Sequence, residues 1–116
     1  MQAAAQHIYT TITNNANIMA LLTNGFHWEL APEKTNTPFA TYRVEEAPFS
    51  KDGANTYTVN FYVWTTKLLA AANIADTIKT EIKNSDVKWR WVSASSGYTN
   101  FEAKEAFIEL IFTFKL

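Results

Sequence analysis

At 116 residues the chain is long enough for one domain with a hydrophobic core of its own, and the length predicts a single domain over residues 1–116. An apolar share of 47% with only 18% charged residues excludes a disordered chain, and the absence of cysteine excludes disulfide frameworks and thiolate metal sites. Ten basic residues against eleven acidic ones leave a formal net charge of −1, so the overall balance offers no attraction to nucleic acid.

The start, Met1-Gln2-Ala3-Ala4-Ala5, has neither a basic n-region nor an apolar h-region, so the expectation is an intracellular protein without a signal peptide. No apolar run approaches the ~20 residues that span a bilayer, and no membrane partner is expected. Ile8, Ile12, Ala16, Met19 and Leu22 recur at near-helical intervals and predict a helix over Ile8–Leu22. Its Thr and Asn residues are mediocre helix formers, so it depends on burial of that stripe. Asn24-Gly25 is a stop signal, and Phe26–Leu30 reads as a short extended piece.

From Pro38 the period changes to two. Phe39–Glu45 reads as a strand, with Tyr42 and Val44 on one side and Thr41, Arg43 and Glu45 on the other. Pro48–Asn55 is dense in turn formers and predicts an exposed loop. Thr56–Thr65 carries the strongest β signal: Tyr57, Val59, Phe61 and Val63 share one face, Thr58, Asn60, Tyr62 and Trp64 the other. Ala71, Ala75, Ile78 and Ile82 form the buried stripe of a second helix, Leu68–Ile82. Val87–Ser93 predicts a third strand, Ser93–Gly97 a flexible turn, and a fourth strand begins near Ala103 with Ala106, Ile108, Leu110, Phe112 and Phe114 facing one way. The fold class is therefore α+β in the order α-β-β-α-β-β, a mainly antiparallel sheet of at least four strands packed against two helices. The predicted core includes Ile12, Met19, Phe61, Val63, Ala75, Ile78, Ile108, Leu110 and Phe112.

Catalytic chemistry finds no support. His7 and His27 lie on different elements with no partners at metal-ligand spacing, and read as ordinary, partly exposed histidines. Glu45 and Glu46 are adjacent on a strand and point to opposite faces, so they cannot act as an acid/base pair. Gly25, Gly53 and Gly97 each stand alone and build no phosphate loop, and the serines near Gly97 have no neighbouring base. Lys88-Trp89-Arg90-Trp91 interleaves cations with aromatics, but alternation sends the two kinds to opposite faces, as in a half-buried strand. No cofactor, metal or catalytic residue is assigned, and the expectation is a protein that is not an enzyme.

Two features point to assembly. Phe, Tyr and Trp make up 15% of the chain, and aromatics anchor interfaces as well as cores. On the last strand Phe107, Glu109 and Ile111 lie opposite the apolar stripe, on the side where Tyr62 and Trp64 also fall. Either a helix crosses to cover that second face, or these aromatics sit at the ends of the sheet, or the face is a subunit interface; the sequence leaves these open.

Taken in order, these elements resemble the tail-terminator (tail-completion) proteins of long-tailed bacteriophages and related phage-like particles. The resemblance rests on the amphipathic Ile8–Leu22 segment ending in Asn24-Gly25 and on the proline-started Thr37-Pro38-Phe39-Ala40-Thr41-Tyr42. It continues through the loop closing on Asp52-Gly53, the central Tyr57–Trp64 strand, the Ala-rich helix Ala70–Ile82 and two closing strands. It implies a structural virion protein made in the host cytoplasm. Its partners would be further copies in a ring, commonly a hexamer, the tail tube protein at one side and a head-completion or connector protein at the other. DNA would pass through the lumen without specific binding. Under this reading the candidate subunit or tail-tube contacts are Phe49, Ser50, Lys51, Asp52 and Gly53 in the loop and Phe107, Glu109 and Ile111 on the second sheet face. The alternatives are a head-completion or neck protein, and a small dimeric α+β ligand-binding domain.

Overall fold

The computed structural model describes residues 1–31, 35–47, 55–100 and 105–116, with backbone alone over 98–100. Among them are α1 (Gln2–Thr13), α2 (Ala16–Met19), β1 (Phe26–Trp28), β2 (Phe39–Ala47), β3 (Thr56–Thr65), α3 (Leu68–Asn84), β4 (Arg90–Asn100) and β5 (Glu105–Lys115). The strands form one five-stranded sheet in the order β1-β2-β3-β5-β4. Three of its pairs are antiparallel, and β1 alone joins parallel to its neighbour. The α+β class and the mainly antiparallel sheet are as the alternation of β2, β3 and β5 predicts. Among the described residues no helix is long and apolar enough to cross a membrane.

All the helices pack on one face of the sheet. Ile8, Ile12, Ile18, Ala71, Ile78 and Ile82 meet Tyr42, Val59, Phe61, Val63, Leu110 and Phe112 in a continuous core. Trp89 lies over the rings of Phe61 and Phe114, and its indole N–H donates to His7 Nε2 at 2.9 Å. That bond requires an unprotonated acceptor nitrogen, and burial holds the His7 pKa below its ordinary value.

Several expectations need correction. The first helix does not run unbroken from Ile8 to Leu22. Asn15 adopts an extended conformation and its side-chain oxygen accepts from the Ile18 N–H at 3.1 Å, so it caps a new helix. The break shifts the stripe by one residue: Ile18 is buried, whereas Met19 only packs against the edge of the core. Glu81 on α3 secures the broken segment, accepting from the Asn15 and Asn17 amides at 3.2 and 2.8 Å. Ile108 is likewise partly buried rather than central.

The extended piece after Gly25 proves to be an edge strand of the sheet. Gly25, with φ of +105°, turns the chain into β1, and Glu29 ends it in the left-handed region at φ +63°. There the Leu30 N–H closes back on the Trp28 carbonyl at 2.8 Å. The larger correction concerns Ser93–Gly97, read as a turn and found inside β4. Small residues carry little strand preference; the ladder with β5 imposes it. The third strand accordingly covers Arg90–Asn100 instead of Val87–Ser93, and the last begins at Glu105, Ala103 lying outside the described residues.

Candidate assembly face

The face of the sheet away from the helices is built in cross-strand rows. The register aligns Phe39, Trp64, Phe107 and Gly97 in one row, Thr41, Tyr62, Glu109 and Ser95 in the next, and Arg43, Asn60, Ile111 and Ser93 in a third. The structure thus brings Phe107, Glu109 and Ile111 together with Tyr62 and Trp64, as strand alternation predicts. Among the described residues no helix lies over them, and Tyr62, Trp64, Phe107 and Ile111 remain partly exposed.

Aromatic contacts order the first two rows. The Phe107 ring sits 5.2 Å from Trp64 and 6.1 Å from Tyr62, while Trp64 stacks on Phe39 at 6.2 Å. Trp64 is fixed further by its indole N–H, which donates to Thr41 Oγ1 at 3.2 Å. Phe107 lies across Gly97 on the neighbouring strand: a Cβ there would stand 3.0 Å from the ring. The glycine gives the ring a bed, and the ring covers backbone that the glycine would otherwise expose.

Glu109 is the polar centre of the face. Asn60 Nδ2 donates to Glu109 Oε2 at 3.1 Å and Ser95 Oγ to Oε1 at 3.4 Å. Hydrogen bonding from the Tyr62 hydroxyl is the main cause holding its carboxyl below the usual carboxylate range; partial burial opposes it, and Asn60 and Ser95 add to it. The same pairing raises the Tyr62 pKa. Glu109 is therefore a fixed anion whose acceptor capacity is largely taken by its own neighbours. Such a group orients aromatic side chains around it and has no proton to exchange near neutral pH.

The remaining predicted site residues, Phe49, Ser50, Lys51, Asp52 and Gly53, lie outside the described residues. Sequence reasoning missed Ser95 and Gly97, which were placed in a turn; only their register opposite Glu109 and Phe107 marks them. Trp89 and Trp91 turn toward the helix-covered face, Lys79 lying 4.3 Å above the Trp91 ring, while Lys88 and Arg90 are exposed. Among the described residues no group of three or more His, Asp or Glu could hold a metal ion.

Compared with protein-family models and with curated proteins, the sequence matches none. Among solved structures the fold is similar to that of a chain described as "Virion of native gene transfer agent (GTA) particle". The TM-score is 0.71 at 14% identity, covering 93% of this chain and 90% of the other. At that identity the likeness establishes a shared fold, over nearly the full length of both chains.

Proposed function

We propose that this chain is a structural virion protein that forms a ring, commonly a hexamer, ending the tail tube and joining it to the head connector. The observation that carries the reading is the end-to-end likeness of fold to a chain from a virion. The sheet face over which no described helix lies supports it independently. A sheet with helices on one side ordinarily shows water a polar second face. Here Tyr62, Trp64, Phe107 and Ile111 are partly exposed beside a hydrogen-bonded carboxylate, and aromatic residues are enriched at interfaces.

A closed ring repeats one heterologous contact, so each protomer presents two unlike patches. Phe107, Glu109 and Ile111 supply one; the Phe49–Gly53 loop meets the neighbouring subunit or the tail tube. With a net charge of −1 the protein exerts little pull on a polyanion, which suits DNA sliding through the lumen. The role requires no catalysis. Its place is the head-proximal end of the tail.

The test is a three-dimensional image of the particle that carries the chain. A ring at the head–tail junction, with a lumen at least as wide as duplex DNA, is expected. A two-fold dimer closing an apolar cleft around a small molecule would overturn the reading. Isolated subunits in solution are a weaker test, because a tail tube that templates the ring offsets part of the ordering cost.

A further inference from the structure

The sheet has two edges, and they differ. On one side β1 is three residues long and a groove of about 540 Å³ opens between it and α1. Gln6 and Tyr9 from the helix wall it on one side, and Phe26, Trp28, Leu30 and Tyr42 on the other. The Ala40 N–H donates to the Gly25 carbonyl and the Glu29 N–H to the Tyr42 carbonyl, so in this parallel pair Phe26 and Trp28 turn their N–H groups outward. Leu30 is 84% exposed and Trp28 49%, and together they form an apolar rim.

On the far side β4 is eleven residues long. From Trp91 to Asn100 it contains no Asp, Glu, Lys, Arg or Pro, although natural edge strands usually carry such residues to prevent pairing. Val92 falls where the register with β5 slips, between Trp91 and Ser93, and is 49% exposed. A bulge of this kind leaves its extra residue out of the ladder.

We infer that the groove between α1 and β1 receives the β4 edge of a second copy as an added strand, with Val92 seated among Tyr9, Trp28 and Leu30. Charge argues for this occupant. Among the described residues none that lines the groove is Asp, Glu, Lys or Arg, so a charged segment entering it would lose solvation without gaining a counter-ion from them. The β4 edge of this chain is uncharged over the length that would enter. Strand direction agrees. Followed across the sheet, β4 runs opposite to β1, so rotation about an axis along the strands brings one copy's β4 antiparallel to the next copy's β1. Main-chain hydrogen bonds and one seated side chain are how strand addition works elsewhere. Because β4 borders the row of Phe107 and Gly97, the edge and the uncovered face form one surface. The inference rests on the ring reading and, in addition to the Phe49–Gly53 loop, offers the groove as a patch unlike the first.

The chain has no cysteine, so engineered thiols report this contact alone. A disulfide demands Cα atoms within about 7 Å. Val92→Cys and Leu30→Cys are made separately, and Leu69→Cys, equally exposed on α3, sets the collision background. Circular dichroism matching the parent shows that each variant folds. On mild oxidation, an equimolar mixture of V92C and L30C is expected to give a mixed dimer well above either variant alone and above V92C with L69C. The V92C/L30C double variant is expected to give a ladder of larger oligomers. A mixture no better than the Leu69 control overturns the inference, and so does V92C cross-linking mainly to itself, which indicates a two-fold pairing of β4 edges. The particle image tests the ring separately: a ring without the cross-link refutes the groove contact and leaves the ring standing.

Discussion

Replacing Phe107 by Ala separates folding from assembly. Burying a Phe side chain fully is worth about 1.5–3 kcal/mol, and Phe107 is partly exposed, so roughly 1 kcal/mol of transfer energy is lost. The Trp64 contact at 5.2 Å adds about another 1 kcal/mol. The protomer should therefore lose roughly 2 kcal/mol, or about 8 °C in Tm at the entropy of unfolding usual for a chain of this length. Phe112→Ala is the reference: the same residue type on the same strand, but 2% exposed under the helices, where about 3–5 kcal/mol is expected. Denaturant titration of both variants gives the comparison. Phe107→Ala should in addition weaken assembly at least about 30-fold at equal concentrations of folded protein, the loss typical of an anchor residue. If Phe107→Ala destabilises the protomer as much as Phe112→Ala, the face is buried within the protomer. If its assembly equals that of the parent, Phe107 is outside the contact.

Leu110→Ala, on the covered face beside Phe61, should cost about 2–5 kcal/mol in thermal or chemical unfolding; a loss under about 0.5 kcal/mol would mean that β5 presents its other face to the helices. His7 has its pKa lowered by burial, so its contribution to stability is complete above the ordinary value of 6.5 and is lost as pH falls through the folded-state value. Unfolding free energy followed across that range should decline on acidification, and His7→Phe should remove that component. Glu109, also held below its ordinary value, first by Tyr62, contributes stability above the carboxylate range that disappears as pH falls through its folded pKa. Glu109→Gln should flatten the acid limb of the same titration, and Tyr62→Phe should move the Glu109 pKa upward when it is followed by NMR.

Where side-chain period and burial coincide, the sequence was enough. Every second residue of β3 from Tyr57 is buried and its neighbours are half-buried, so the pattern alone assigns both faces. β5 alternates in the same way apart from the half-buried Ile108, which is why Phe107, Glu109 and Ile111 fall together on one face. The misses arose where tertiary pairing overrode local preference. Nothing in Ser93-Ala94-Ser95-Ser96-Gly97 distinguishes a small-residue strand from a turn, and only its ladder with β5 decides. In the N-terminal segment a cap competed with periodicity: Ile8 and Ile12 fit one helix, but Asn15 restarts the count and buries Ile18 in place of Met19. β1 was too short to declare itself, since three residues contain no period. Its parallel pairing with β2 depends on a loop closure that sequence spacing does not reveal.

The place of β3 in the sheet order has a consequence for how the protein is made. One neighbour, β2, precedes it along the chain, but the other, β5, begins about 40 residues after β3 ends. A ribosome adding roughly 5–20 residues per second takes about 2–8 s to supply those residues. For that interval the hairpin of β2 and β3 waits with one edge of its most apolar strand open to any other chain, including a second nascent copy. Soluble yield should then follow the speed of synthesis and the crowding of nascent chains more closely than the stability of the finished fold. Slower translation lengthens the wait, whereas dilution of the message thins out the competitors.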